Sequence, residues 1–215
     1  MRGLVKIEMP SPVGILPVVP ALPDFVARYP DIVLDVRCSE RVVDLVQEGV
    51  DCAIRGGHIA DQDLVCRAIG LMRFTLCAAP SYLDAAPPLQ SPADIACHRH
   101  LGFRFPATDR RYVPVLTRGD EQFALDPVPA MYFNSGSASA AVVVAGLGVT
   151  FLPKAEAEPH VQAGRLVEVL PDWQMGSMPM SFVYPPTRAL SARVRAVADW
   201  VTGLMAANPV WAPPP

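Results

Sequence analysis

Charged side chains are scarce in this chain, and it contains no run of basic residues. Asp, Glu, Lys and Arg make up 18% of the 215 residues, the formal net charge is −3 and the sequence pI is about 5.8. A protein that grips a nucleic-acid backbone needs clustered positive charge to displace the counterions condensed on it. The chain is therefore not expected to bind nucleic acid on its own.

Long apolar runs are also missing, although 51% of the residues are hydrophobic and the mean hydropathy is +0.27. The most apolar uncharged stretch, residues 138–152, is interrupted by Ser139, Gly146, Gly148 and Thr150. It falls short of the roughly 20 apolar residues that a membrane-spanning helix requires. The N-terminal sequence MRGLVKIEMP also lacks the apolar segment of a secretory signal. We therefore expect no membrane segment and a cytoplasmic location.

Cysteine is infrequent and unpaired in the sequence: the five residues are odd in number and form no CxxC motif. This pattern argues against a disulfide scaffold or a zinc ribbon. The run Cys97-His98-Arg99-His100 brings a thiol and two imidazoles together, but no further ligand pair is evident, so a polar surface loop is favoured over a metal site. Gly146 and Gly148 lack the third glycine of a dinucleotide-binding turn. No metal and no cofactor are expected.

The N-terminal part alternates between strand and helix patterns. Residues 4–9 alternate apolar and polar side chains, which predicts a strand, and apolar residues recur at helical spacing over residues 15–29. The prolines predict that this helix begins late or bends near Pro20 and ends at Pro30. Residues 31–36 are predicted to form the second strand.

A second helix is predicted over residues 40–48, with Ser39 as its N-cap and Gly49 as its left-handed stop. Residues 51–54 follow as a third strand. This β-α-β-α-β order with short connections is typical of a parallel, doubly wound sheet.

The rest of the chain predicts shorter elements, as expected from 24 prolines and 14 glycines. Strands are predicted at residues 64–69, 74–79, 101–103, 111–117, 122–125, 131–134, 146–153, 165–170 and 180–184, and helical segments at 81–83, 92–97, 138–145 and 190–205. The last strand and helix need a partner sheet, and their return to the first one is the economical arrangement. Residues 208–215 are predicted to be a disordered tail.

Four stretches, in order along the chain, resemble the effector-binding domain of LysR-type transcriptional regulators. They are LPDFVARYP with the following strand (22–36), VDLVQEGVDCAIR (43–55), VAGLGVTFLP (144–153) and YPPTRALSARVR (184–195). The resemblance covers nearly the whole chain. It implies two α/β, Rossmann-like lobes joined by two crossing segments, as in type 2 periplasmic binding proteins.

With this fold, lobe I comprises residues 1–76 and 181–207, and lobe II comprises residues 77–180. The resemblance also implies a homodimer or tetramer formed through the regulatory domain. Operator DNA would be bound only through an N-terminal winged helix-turn-helix, which this chain does not include. The small-molecule effector is expected in the cleft between the lobes.

The candidate effector-binding residues lie at the ends of predicted strands, where open α/β sheets bind ligands. They are Ser11, Ser39, Arg55, Gly57, Phe103, Asn134 and Ser135. Hydroxyls, amides and one guanidinium suit a small anionic or aromatic metabolite, with Arg55 as a clamp for a carboxylate. Structural roles remain open for several of them: Ser39 and Ser135 as helix caps, Ser11 as a turn residue, and Phe103 as a core residue. Arg55 is equally able to pair with Asp51, Asp61 or Asp63.

We therefore predict a non-enzymatic, effector-sensing domain of a transcription factor. The alternative is a solute-binding protein of a transport system, which would have the same lobes and cleft. An enzyme is disfavoured, because no paired carboxylates lie near a nucleophile and the GxSxG turn is absent.

Overall fold

A computed structural model describes residues 1–59, 61, 63–106, 108–186 and 191–212. The elements in chain order are β1 (Gly3–Met9), α1 (Ser11–Val13), a π-helical segment (Gly14–Val18), α2 (Val19–Arg28), β2 (Ile32–Cys38), β3 (Cys52–Gly56), β4 (Val65–Ala78), α3 (Pro80–Leu83), a 3-10 helix (Pro92–Cys97), β5 (Leu101–Phe103), β6 (Val115–Arg118), β7 (Glu121–Ala124), β8 (Met131–Phe133), α4 (Gly136–Val144), β9 (Val149–Pro153), α5 (Lys154–Gln162), β10 (Val167–Glu168), β11 (Gln174–Met175), β12 (Ser177–Tyr184) and α6 (Ala192–Ala207). Among the described residues, no helix has the length and hydropathy of a membrane span.

The chain forms two compact units. Unit 1 consists of Met1–Met72 and Met178–Pro215, and unit 2 consists of Arg73–Ser177. The boundaries therefore fall at 72/73 and 177/178, where the sequence predicted 76/77 and 180/181.

Unit 1 contains the predicted parallel arrangement of the first three strands. β1 pairs in parallel with β2 on one side and with β3 on the other. β12 adds to β3 in the antiparallel direction, with Phe182 opposite Ile54, and β12 also neighbours β4. The C-terminal strand and helix thus belong to the first unit. Helix α6 buries Val194, Val197 and Val201 along one face, and its Trp200 packs edge-on against Phe25 of α2.

The helix after β1 begins earlier than predicted and accommodates its prolines by changing its hydrogen-bond pattern. Its first segment begins at Ser11, and the Gly14–Val18 segment is π-helical, with the Val19 N–H donating to the Gly14 carbonyl five residues earlier. Pro17 lies inside this segment and has no N–H to donate, and its ring would crowd the carbonyl of Val13 in an α-helix. The wider π turn removes that conflict.

The helix predicted over residues 40–48 is wrong: the structure has only turns at residues 45–49. The Asp44 carboxylate accepts hydrogen bonds from the N–H groups of Val46 and Gln47, at 2.9 and 3.0 Å. Such local side-chain bonds cap a single turn, and several β-branched valines in this stretch disfavour a longer helix. Gly49 does have the predicted left-handed conformation, with φ of 66°. The apolar side chains of this segment, Val43 and Leu45, pack with Val50, Ala53 and Val183.

Unit 2 is built around the second part of β4. This part pairs in the antiparallel direction with β9 and with β10. Two smaller sheets complete the unit: β11-β6-β7, which is antiparallel, and β5-β8, which is parallel. The two strands predicted at 64–69 and 74–79 are one continuous strand, and the sequence analysis did not predict helix α5.

The tail predicted to be disordered is ordered as far as residue 212, and residues 213–215 lie outside the described residues. Trp211 is only 1% exposed, and its carbonyl accepts a hydrogen bond from the Leu71 N–H at 2.8 Å. Gly70 lies against the same carbonyl, at a position where a Cβ would collide with it. The terminal segment is thus part of the packing of unit 1.

Candidate functional site

Ser11 and Ser39 lie where β1 and β2 end, as predicted, but each of them contacts a carboxylate. The backbone and the hydroxyl of Ser11 lie close enough to Glu40 to lower the pKa of its carboxyl. The Ser39 hydroxyl donates to Oε1 of Glu8 at 3.2 Å, and its oxygen accepts a bond from the Arg41 N–H at 3.3 Å. Because residues 40–48 are not helical, Ser39 is not a helix cap. Instead, it ties the end of β2 to Glu8 of β1.

Glu8 is a buried acid and Glu40 is a half-buried one, and each has an unsatisfied oxygen. Glu8 is 6% exposed. Its Oε2, like the Oε1 of Glu40, is buried and has no hydrogen-bond partner among the described residues. Burial raises the pKa of Glu8, an effect that the Ser39 hydrogen bond partly offsets. Burial also raises the pKa of Glu40, and the nearby backbone and hydroxyl of Ser11 partly offset this rise.

Arg55 and Gly57 follow β3, and both already have partners within unit 1. The Arg55 guanidinium donates through Nη2 to the Val43 carbonyl, and its charge lowers the pKa of Glu8. The Gly57 N–H donates to the Pro179 carbonyl at 2.9 Å. Gly57 has φ of 85°, a backbone conformation that favours glycine. Both residues therefore make hydrogen bonds within unit 1, and their predicted role in effector binding stays a prediction.

The three candidates of unit 2 lie at the ends of two paired strands. Phe103 of β5 is in register with Phe133 of β8, directly before Asn134. Phe103 also packs against the unit 2 core, with its ring centroid 6.1 Å from that of Phe151. Asn134 is exposed, and the Ser135 hydroxyl caps helix α4 by accepting the Ala138 N–H. The register thus brings Asn134 and Ser135 beside a core aromatic residue.

The Cys97–His100 run is not the polar surface loop that the sequence favoured. Cys97 and Arg99 are exposed, whereas His98 and His100 are 8% and 3% exposed. The Tyr82 hydroxyl lies 3.2 Å from Nδ1 of His98. Burial, together with the charge of Arg111, lowers the pKa of His100 to about 4. Within the described residues, no group of three or more His, Cys, Asp or Glu side chains is arranged to hold a metal ion.

The sequence analysis missed Glu8 and Glu40, which set the charge of this part of unit 1. Their positions alone would have drawn attention to them, because Glu8 is the last charged residue of a strand and Glu40 directly follows Ser39. Hydroxyl, amide and guanidinium groups suit an anion, whereas carboxylates at the same strand ends accept hydrogen bonds from a donor.

Comparison with known proteins gives a consistent result over almost the whole chain. A family model described as the LysR substrate binding domain matches residues 1–206. An HTH-type transcriptional repressor of Pseudomonas aeruginosa is 35% identical over 193 residues, which are 89% of this chain and 61% of the relative. An HTH-type transcriptional regulator of Escherichia coli is 30% identical over 214 residues, covering 95% of this chain and 69% of the relative. The chain thus spans between three fifths and seven tenths of the length of these two regulators.

A solved structure shows the same fold. The regulatory domain of CrgA, a LysR-type transcriptional regulator from Neisseria meningitidis, superposes with a TM-score of 0.83 at 24% sequence identity. The match covers 94% of this chain and 98% of that domain.

Proposed function

The chain belongs to the LysR substrate-binding-domain family, and we propose that it senses a small-molecule effector on behalf of a transcriptional regulator. Membership confirms the predicted class of effector-binding domain and the predicted fold, the type 2 periplasmic-binding-protein-like arrangement of α/β lobes. The observation that carries the proposal is the family match over residues 1–206. The transport alternative finds no support, because the relatives are transcriptional regulators.

The effector would bind at the carboxyl ends of the parallel strands of unit 1. Ser11 follows β1, and Ser39 follows β2, at the edge where open α/β sheets bind ligands. In unit 2, Asn134 and Ser135 precede α4 and provide an exposed amide and a hydroxyl. The placement of the effector between the two lobes, expected from the resemblance, stays a prediction.

Regulation requires that the effector bind one arrangement of the protein better than another. The segment between β2 and β3 is suited to such a change, because it contains turns in place of a helix. It contacts the strand ends through Ser39, which bonds to Glu8 and to the Met9 carbonyl, and through Val43, which bonds to Arg55. An effector that competes for either contact would alter the packing of this segment.

The domain would also assemble with itself, as a homodimer or a tetramer. Three apolar side chains in the helical region after β1, Ile15, Val19 and Val26, are 54%, 45% and 57% exposed at helical spacing. Val33, on the neighbouring edge strand β2, is 62% exposed. Clustered exposed apolar side chains are typical of interaction sites, and we expect these residues to contribute to the assembly. In the whole regulator, operator DNA would be bound by a DNA-binding domain outside this chain, in the cytoplasm, and no catalytic turnover is expected.

The proposal is tested by a thermal-shift screen with anionic, cationic, neutral and aromatic metabolites. A cognate effector at 100 times its Kd should stabilise the folded domain by about 2.7 kcal/mol. A hit should then change the operator affinity of the full-length regulator, measured by fluorescence anisotropy, and should not be consumed. The proposal fails if no compound of any charge raises the Tm, or if the hits leave operator binding unchanged.

A further inference from the structure

Glu40 lies beside the predicted anion-binding position at Ser11. The backbone and the hydroxyl of Ser11 lower the pKa of its carboxyl, and the burial of that carboxyl raises the pKa. A ligand carboxylate at the Ser11 turn would be placed next to this second acid, and two neighbouring carboxylates repel each other. The Ser11 turn therefore disfavours an anionic effector.

Glu8 is a buried acid with one carboxylate oxygen that lacks a hydrogen-bond donor. It is 6% exposed, one of its oxygens accepts the Ser39 hydroxyl, and the other has no hydrogen-bond partner in the part of the chain that the structure describes. Buried polar atoms are nearly always paired, and an unpaired one requires an explanation. In the ionised form both oxygens of a carboxylate can only accept, so the missing partner of that form is a donor. A cationic donor would also favour the ionised form against the burial that raises the pKa of Glu8.

The arginines of this region are each engaged with a partner of their own. Arg37 pairs with Asp35 at 3.3 Å, Arg41 pairs with Glu48 at 2.8 Å, and Arg55 donates to the Val43 carbonyl. The Arg55 guanidinium, which was expected to bind a ligand carboxylate, thus donates to the Val43 carbonyl of the backbone.

From these observations we propose that the effector carries a cationic hydrogen-bond donor, a primary ammonium or an amidinium group, which donates to Oε2 of Glu8. This inference rests on the proposed effector-sensing function and names its ligand class. The ligand charge replaces the missing donor in a charge-assisted hydrogen bond. Glu40, with one unpaired buried oxygen of its own, offers a second acceptor in the same region. Since Oε2 of Glu8 is covered in this structure, the proposal requires that the segment carrying Ser39 move aside when the ligand binds.

The test uses pairs of compounds that differ mainly in the sign of their charge. Benzamidine is compared with benzoate, and 1,4-diaminobutane with succinate, by thermal shift and by isothermal titration calorimetry at pH 7. We expect at least one cation to raise the Tm and its anionic counterpart to leave the Tm unchanged. Glu8→Gln keeps an oxygen for Ser39 but loses the charge, and should raise the Kd of that cation at least tenfold, which corresponds to about 1.4 kcal/mol.

Two further variants make the result specific. Glu158→Gln removes one carboxylate from helix α5 of unit 2, on the surface, and should leave the Kd unchanged. Glu40→Gln provides a second measurement if Glu8→Gln does not fold. Equal binding of the cation to the wild type and to a folded Glu8→Gln variant would overturn the proposal. Failure of both cations to bind, or stabilisation by an anion, would overturn it as well. The effector-sensing function survives these failures if any other metabolite in the wider screen shifts the Tm and changes operator binding.

Discussion

Replacing Trp211 by alanine tests the unexpected packing of the terminal segment. The side chain is 1% exposed, so truncation removes nearly all of a large buried aromatic residue and leaves a cavity. Substitutions of this kind cost about 3–5 kcal/mol. For a chain of this length each kcal/mol lowers the Tm by roughly 2–4 °C, so the Tm should fall by roughly 6–20 °C. The hydrogen bond from Leu71 to the Trp211 carbonyl does not involve the side chain and should persist.

The measurement is urea unfolding followed by far-UV circular dichroism, which does not depend on the tryptophan that is removed. Val128→Ala is the control, because Val128 is 90% exposed and surface substitutions usually change stability by less than about 0.5 kcal/mol. A loss below about 1 kcal/mol for Trp211→Ala would refute the reasoning. It would mean that the terminal segment contributes little to the packing of unit 1, as the sequence alone had suggested.

Three other substitutions test single features of the structure. Gly14→Ala should lower the free energy of unfolding by about 1–3 kcal/mol, because the added methyl would collide with Sγ of Cys38. Gly203→Ala, in open space within α6, should instead raise the free energy of unfolding by about 0.5–1 kcal/mol. Equal effects of the two substitutions would contradict the collision at Gly14. Arg55→Ala should cost about 1.5–3 kcal/mol by denaturant unfolding, because the Val43 carbonyl loses a charged donor; unchanged stability would count against that bond. The pKa of His100 is lowered to about 4, so the stability that it contributes is present above pH 6.5 and is lost as the pH falls towards 4, by up to about 3 kcal/mol. In thermal melts over a pH series, His100→Gln should therefore lose less stability between pH 6.5 and pH 4 than the wild type. An equally steep loss in the variant and the wild type would refute this role of His100.

The sequence predicted the strands of unit 1 well because their burial follows an alternating or continuous apolar pattern. The parallel pairing of β1 with β2 and β3 follows from that pattern and from the short connections. The helix prediction for residues 40–48 was wrong because the apolar spacing there is compatible with a helix. The hydrogen bonds that Asp44 accepts, and the packing against Ala53 and Val183, favour turns instead. The spacing of apolar residues indicates which side chains are buried and not which backbone structure buries them. Here a set of turns buries Val43 and Leu45.

One long-range contact explains two other differences between sequence and structure. A break was predicted between residues 69 and 74, yet β4 runs through Gly70 without interruption. The same Gly70 provides the space that the Trp211 carbonyl occupies. The contact joins residues about 140 positions apart, so no local pattern could predict it, and the proline-rich surroundings of Trp211 predicted disorder.

In the candidate site, the positions of the serines could be predicted from the sequence, but the charged groups around them could not. The fold places Ser11 and Ser39 at strand ends, and this could be predicted from the order of the elements. The buried carboxylate oxygens of Glu8 and Glu40 at those ends are revealed only by the structure. If the proposed role of Glu8 is correct, a relative with the same serines but neutral residues at positions 8 and 40 should lose the preference for a cationic effector.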